Sequence, residues 1–298
     1  MKSLLFIDDD VNFGNLMRDI FIGRYAVDCC TSADAAVALC HQKKFDLIIS
    51  DIRMPGMRGP ELLMKLQEIQ PTVKTALITS YNVDDYLGIA RTYKISSIIP
   101  KTVPMNFTEL DIIVKRLVDG TIFGLENWLL DKHEFAGTFT ITTSAQGREI
   151  RNHLVDLITQ KFGSARDIKL ILDETITNAI YHAPQNADGT EKYPELTEIT
   201  LTPGEQVTVS WGFDSEKYGI AVVDWQGRLT REKVLQKIER QVQGLGLMDE
   251  NGRGLHISRL LADRMIINIE RNVRTEVILM NYISTKFSGY KPLYINEL

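Results

Sequence analysis

Along the first 120 residues, short solid runs of apolar positions alternate with longer stretches where apolar residues recur every three or four places. The runs at 3–7, 26–30, 47–50, 75–79 and 97–99 have the length and continuity of strands buried on both faces. Residues 12–21, 33–41, 60–70, 84–93 and 106–118 carry helical spacing, with Ser32 placed to cap the second and Pro71 to stop the third. This alternation predicts an α/β domain at 1–120, a doubly wound five-stranded parallel sheet with helices on both faces. In such sheets chemistry gathers at the C-terminal ends of the strands.

The rhythm then changes. Residues 121–133, which include Gly124 and Trp128, predict a linker, partly packed rather than loose. After it come a strand at 138–142, helices at 145–162 and 167–182, and strands at 198–201, 206–213 and 218–224. A helix at 231–241, a glycine-rich loop at 244–254, a helix at 255–265 and a strand pair at 266–270 and 275–282 complete the series. This order predicts a helix layer on a mixed sheet, a two-layer α/β sandwich spanning 134–298.

Composition limits the functions that fit. With 44% hydrophobic and 24% charged residues and a mean hydropathy of -0.09, the 298-residue chain has material for two cores. A net charge of -5 and the lack of a basic recognition helix argue against direct work on nucleic acid. Cys29, Cys30 and Cys40 make no metal-like spacing, as expected in a reducing compartment. No run approaches the roughly 18 apolar residues of a membrane span, and an acid arrives by Asp8. The expectation is a cytoplasmic protein that does not engage membranes.

Polar groups sit where the strands of the first domain end. Asp8 and Asp9 follow the first strand, Asp51 the third, Thr79 ends the fourth, and Lys101 comes just after the fifth. Three carboxylates at one edge repel one another unless a cation neutralises them, and an all-oxygen set suits Mg²⁺. A metal and a lysine beside a carboxylate suit transfer of a phosphoryl group to it. The segments Phe-Ile-Asp-Asp-Asp at 6–10, Ser-Asp-Ile-Arg-Met-Pro-Gly at 50–56, Ile-Thr-Ser at 78–80 and Pro-Lys at 100–101 resemble the CheY-like response-regulator receiver domain. That resemblance implies that Asp51 is the phosphoacceptor and that Asp8, Asp9, Asp51 and the main-chain carbonyl of Arg53 hold Mg²⁺. It makes Thr79 the switch hydroxyl and Lys101 the phosphate-pairing cation. Two positions depart from the pattern: Ile98 stands where an aromatic residue is usual, and Thr102 where proline is.

In the second domain, Glu174, Asn178 and His182 fall at i, i+4 and i+8, on one helix face. Asp224 ends a strand, and Asn-Gly-Arg-Gly-Leu at 251–255 opens a helix, where glycines and the helix N-terminus favour phosphate. Each signal alone is weak. In this order they resemble the GHKL ATPases (the Bergerat ATP-binding fold), and among them the anti-sigma-factor serine kinases. The resemblance implies ATP and Mg²⁺ as cofactors, Glu174 as base and Asn178 as metal ligand. It implies Asp224 as the adenine-binding acid, Gly227 in the same box, Gly252, Arg253 and Gly254 at the phosphates, and Thr275 behind the adenine. Residues 241–251 would form a lid. The acid box departs from the family, reading Asp-Trp-Gln-Gly-Arg with one glycine displaced, and Trp225 is expected to crowd or stack on the base. His133 has no dimerisation-helix pattern around it and reads as a linker residue, so the chain is not expected to be a histidine kinase.

The functional expectation is a two-component response regulator whose phosphorylation on Asp51 by a sensor histidine kinase controls the second domain. That domain would act as a serine/threonine protein kinase or ATPase on a partner such as an anti-anti-sigma or sigma-type regulator. The alternative is a non-catalytic module that binds nucleotide or sequesters the partner. Whether the chain forms a homodimer stays open, since no coiled-coil seam is present.

Overall fold

The computed structural model describes residues 1–163, 167–245, 253–284 and 289–298. Two compact units are distinct: Met1–Ile122 with Gly289–Leu293, and Phe123–Ser288 with Tyr294–Leu298.

In the first unit, strands β1 (Ser3–Ile7), β2 (Ala26–Cys30), β3 (Leu47–Asp51), β4 (Lys74–Thr79) and β5 (Ser97–Pro100) lie in the order β2-β1-β3-β4-β5. All pairings are parallel. Parallel neighbours need crossovers, which helices α1 (Val11–Phe21), α2 (Ala33–Gln42), α3 (Gly59–Ile69) and α4 (Leu87–Thr92) provide, and α5 (Phe107–Asp119) follows β5. Asp10, Ser32 and Asn106 cap α1, α2 and α5 by accepting from main-chain N–H groups, each worth about 1 kcal/mol. The helix expected at 84–93 is a 3₁₀ turn, Val83–Tyr86, followed by α4. Register sets the chemistry: Ile7 pairs with Ser50, Asp51 with Ile78 and Thr79 with Pro100. The strand ends are therefore level, and the residues just beyond them share one edge.

The second unit holds β6 (Glu134–Ile141), β7 (Val207–Phe213), β8 (Lys217–Asp224), β9 (Arg264–Glu270), β10 (Arg274–Tyr282) and β11 (Leu293–Glu297), in the order β11-β9-β10-β8-β7-β6. The pairings are antiparallel except that of β11 with β9. Helix α7 (Ile168–Thr177) packs against α6 (Ser144–Phe162) and α9 (Arg253–Leu261), and α8 (Arg231–Val242) against α9. Alternation along β10 divides the two faces of the sheet. Thr275 and Val277 face a cavity under the helices. Glu276 accepts the main-chain N–H of Gly124 with both carboxylate oxygens at 3.1 Å, on the opposite face. The 3₁₀ turn Leu125–Trp128 has Leu125 and Trp128 buried. Trp128 stacks at a tilt on Tyr294.

Several boundaries differ from the sequence reading. Residues 198–201 form no strand; only a bridge between Thr143 and Thr200 remains, because the neighbouring chain enters α6 at Ser144. The helix expected at 255–265 begins at Arg253 and yields to β9 at Arg264. The helix expected through residue 182 changes at Asn178 into a π-helical turn, Asn178–His182. Strand β11 was not anticipated. Its Asn296 donates to Asn268 at 2.8 Å, and Asn268 donates to Glu276 at 2.9 Å, so a buried polar ladder ties the strand in.

Candidate functional sites

At the level strand ends of the first unit, Lys101 reaches between two carboxylates. Its Nζ lies 2.5 Å from Asp8 Oδ2 and 2.6 Å from Asp51 Oδ1. Asp8 and Asp51 are only 3% and 6% exposed, so the shared ammonium is what makes their burial tolerable. Desolvation pushes the Asp8 carboxyl above its ordinary pKa, and Lys101 opposes that without cancelling it. Desolvation pulls Lys101 down, but its bonds to Asp51 and Asp8 win and hold it above its ordinary value. The Arg53 N–H donates to Asp51 Oδ2 at 2.6 Å, which fixes the carboxylate and turns the loop after β3 around it. Thr79 is fully buried, and its hydroxyl accepts the Tyr81 N–H at 3.1 Å.

Asp8, Asp51, Thr79 and Lys101 thus converge, with Arg53 beside them. Asp9 does not join them. It is exposed, and among the described residues no three acidic, histidine or cysteine side chains are close enough to hold a metal. The expected acidic trio is therefore a buried pair. The reason is local: once β1 ends, the adjacent position points to water, where its charge costs nothing. The donors present, two carboxylates and a main-chain carbonyl, are hard oxygens and fit Mg²⁺. Ile98 is buried where an aromatic residue was looked for. Two tyrosines contact Arg53 instead: its guanidinium lies 4.2 Å over the Tyr81 ring, and its Nε donates to the Tyr86 hydroxyl at 2.7 Å. Sequence reasoning missed them, though Tyr81 lies only two positions beyond Thr79.

In the second unit a cavity of about 200 Å³ opens between the sheet, α8 and the π-helical turn. Its lining includes the apolar Val222, Val277 and Leu229 together with Asp224 and Thr275. Asp224 and Thr275 are directly opposite in the β8–β10 ladder. The Asp224 carboxylate accepts N–H bonds from Gln226 at 3.0 Å and Gly227 at 3.1 Å, yet desolvation still holds it above the ordinary carboxylate range. The Thr275 hydroxyl is buried with no well-formed partner among the described residues. A group entering here finds the Asp224 acceptor and a buried hydroxyl that leans on it side by side, which fits the edge of a purine base.

Asn178 and His182 line the same cavity, although the wider π turn replaces the expected helix face. Such turns recur at functional sites because they re-aim side chains. Glu174 adjoins them: a Cβ on Gly254 would lie 2.3 Å from Glu174 Oε2 and 3.1 Å from Asn178 Nδ2. The first turn of α9 is therefore seated against both residues, and a larger side chain at Gly254 would displace the Glu174 carboxylate. Desolvation raises the Glu174 pKa, and the charges of Asp173 and Glu195 add to it. His182 lies 2.8 Å from Glu191 and 2.6 Å from Glu195 through its two ring nitrogens.

Other expected residues fall elsewhere. Gly252 and residues 246–251 of the expected lid lie outside the described residues. Arg253 opens α9 and is exposed. Gly227 does not line the cavity. It sits at φ 57° with a Cβ direction 2.3 Å from the Glu270 carbonyl, and so seats Asp224 against the β9–β10 turn. Trp225 is also outside the cavity: it is half exposed and its indole N–H donates to Thr208. Sequence reasoning missed Arg228, Lys233 and Lys237, which line the cavity. The four-residue spacing of the lysines was visible, but not the face of α8 they occupy.

Comparison with known proteins identifies both domains. The family model of the response regulator receiver domain matches residues 4–114, and that of the histidine kinase-like ATPase domain matches residues 142–281. A response regulator receiver protein of Anaeromyxobacter sp. (strain Fw109-5) is 34% identical over 104 residues, covering 35% of this chain and 44% of that one. A probable transcriptional regulator, ycf29, of Porphyra purpurea is 26% identical over 178 residues, covering 59% and 83%. The chain thus spans less than half the length of the Anaeromyxobacter relative. Among solved structures, a CheY-like receiver domain protein of Methanospirillum hungatei is 26% identical, with 40% of this chain and 95% of that one covered and a TM-score of 0.38. No helix among the described residues is long and apolar enough to cross a membrane. The chain carries a response regulator receiver domain at 4–114 followed by a histidine kinase-like ATPase domain at 142–281.

Proposed function

We propose that Asp51 accepts a phosphoryl group in a phosphorelay fed by a sensor histidine kinase, and that this controls an ATP-dependent activity of the second domain. That activity is serine/threonine phosphorylation, or ATP hydrolysis, of the anti-sigma type, directed at a partner protein of the anti-anti-sigma or sigma-regulator class in the cytoplasm. Asp51 would be the nucleophile toward phosphorus, Lys101 would pair with the phosphoryl oxygens, and the Thr79 hydroxyl would bond the product. Asp8, Asp51 and the Arg53 carbonyl would hold Mg²⁺ in the receiver, and Asn178 in the second domain. The cation, when bound, neutralises phosphate charge at each site.

Asp224 and Thr275 would take the adenine. Glu174 would draw the proton from a serine hydroxyl or water, and its raised pKa makes it the stronger base for that task. The observation that carries this reading is the seating of Gly254 against both Glu174 and Asn178. Two segments far apart in sequence meet there, as a nucleotide site requires.

The test has two arms. Asp51→Asn should abolish labelling of the chain by acetyl phosphate, and labelling that persists at another residue refutes the acceptor assignment. ATP turnover by the wild type should disappear in Glu174→Ala. If neither turns over ATP while both bind it, the second domain is a nucleotide-dependent binding module rather than a kinase.

A further inference from the structure

Several cations of the second unit have carboxylate partners. Lys192 bonds Glu205, Lys217 bonds Asp214, Arg151 bonds Asp173 and Arg274 bonds Glu270. Lys233 and Lys237 are exceptions. They lie one turn apart on α8 and line the cavity that Asp224 and Thr275 also line. Neither ammonium has a hydrogen-bond or ion-pair partner among the described residues. The apolar side of α8 is spent on packing: Val234, Leu235 and Ile238 are buried, which fixes the helix so that the lysine stems reach the cavity.

Resting on the reading of this cavity as a nucleotide site, we propose that Lys233 and Lys237 form its phosphate-selecting wall. The ligand class is a nucleoside di- or triphosphate whose base lies at Asp224 and Thr275 and whose phosphates run along α8. Two ammonium groups one helical turn apart, about 5–6 Å between Cβ atoms, can meet successive phosphates as separate point charges. His182, which also lines the cavity, does not add to that wall, because it is held between the carboxylates of Glu191 and Glu195. These carboxylates and the lysine wall together orient the ligand: the polyanion is drawn to α8 and repelled from Glu191.

The experiment is calorimetric titration of the full chain with adenosine, AMP, ADP and ATP, in the presence of Mg²⁺. The wild type, Lys233→Ala, Lys237→Ala and the double variant are compared, with circular dichroism as the check on folding. Affinity in the wild type should rise from adenosine to ATP. Each single variant should lose on the order of tenfold for ATP and leave adenosine unchanged, and the double variant should bind ATP no better than AMP. Arginine at both positions should restore ATP binding. Unchanged ATP affinity, or equal losses for adenosine and ATP, overturns the phosphate wall. A wild type that binds none of the four ligands overturns the nucleotide reading itself, and the wall with it.

Discussion

Replacing Lys101 with methionine should damage the receiver in a way that depends on pH. In the wild type the ammonium is 2.5 Å from one carboxylate and 2.6 Å from another, and both acids are more than nine-tenths buried. At an effective dielectric near 20, one such contact attracts by roughly 6 kcal/mol, most of it offset by desolvation. Removing a single partner from buried charges costs about 3–5 kcal/mol, because the remaining charge has no compensation. A loss of that size lowers the melting temperature of a unit of this length by on the order of 10–20 °C.

The pH dependence follows from Asp8. Its pKa is already raised by desolvation, and the variant removes the lysine that opposes the rise. A carboxyl with a raised pKa in the folded state gives its full stability below its unfolded pKa, about 4. That stability is lost as pH climbs through the folded value. The deficit of Lys101→Met should therefore be large at pH 8 and shrink toward pH 5. Hydrogen exchange at the amides of β3, with divalent cations chelated and intrinsic rates corrected, isolates this unit from the other. Protection equal to the wild type at pH 8, or a deficit of the same size at both pH values, would refute the shared-cation argument.

Three further outcomes are expected. Gly227→Ala places a methyl group 2.3 Å from the Glu270 carbonyl at φ 57°, so it should destabilise the second unit by more than about 1 kcal/mol; tryptophan fluorescence during urea unfolding reads this, and an unmoved midpoint contradicts it. Gly254→Ala drives a methyl group against Glu174 and Asn178 and should weaken ATP binding roughly ten- to a hundredfold; full affinity would mean that the three residues do not form one site. The buried Glu276 carboxyl is pushed up by desolvation, with Asn268 and the Gly124 N–H pulling the other way. Its contribution to stability is complete below about pH 4.3 and declines as pH rises, so Glu276→Gln should gain on the wild type between pH 4.5 and 8 in the same unfolding assay. A constant difference across that range would show that burial does not raise the carboxyl's pKa in the folded state.

The sequence by itself determined both the alternating first unit and its edge chemistry. A five-strand parallel order needs only solid apolar runs joined by amphipathic helices, and strand ends then carry Asp8, Asp51, Thr79 and Lys101 to one side regardless of detail. It also singled out Asn178, Asp224 and Thr275, which line one cavity, and Glu174, which meets Gly254 beside Asn178, through motifs whose glycines and acids have few other uses in that order. Tertiary structure decided everything that depends on which neighbour a side chain meets. Asp9 turned to water because nothing in a strand-end motif says which of two adjacent acids faces inward. Gly227 is a packing glycine because the β9–β10 turn, some 45 residues later in the chain, presses on it. The π turn at Asn178, the pairing of β11 with β9 and the cavity-facing side of α8 arise from contacts between distant segments. A local periodicity fixes which face of an element is apolar, but only packing fixes what that face and its polar opposite finally touch.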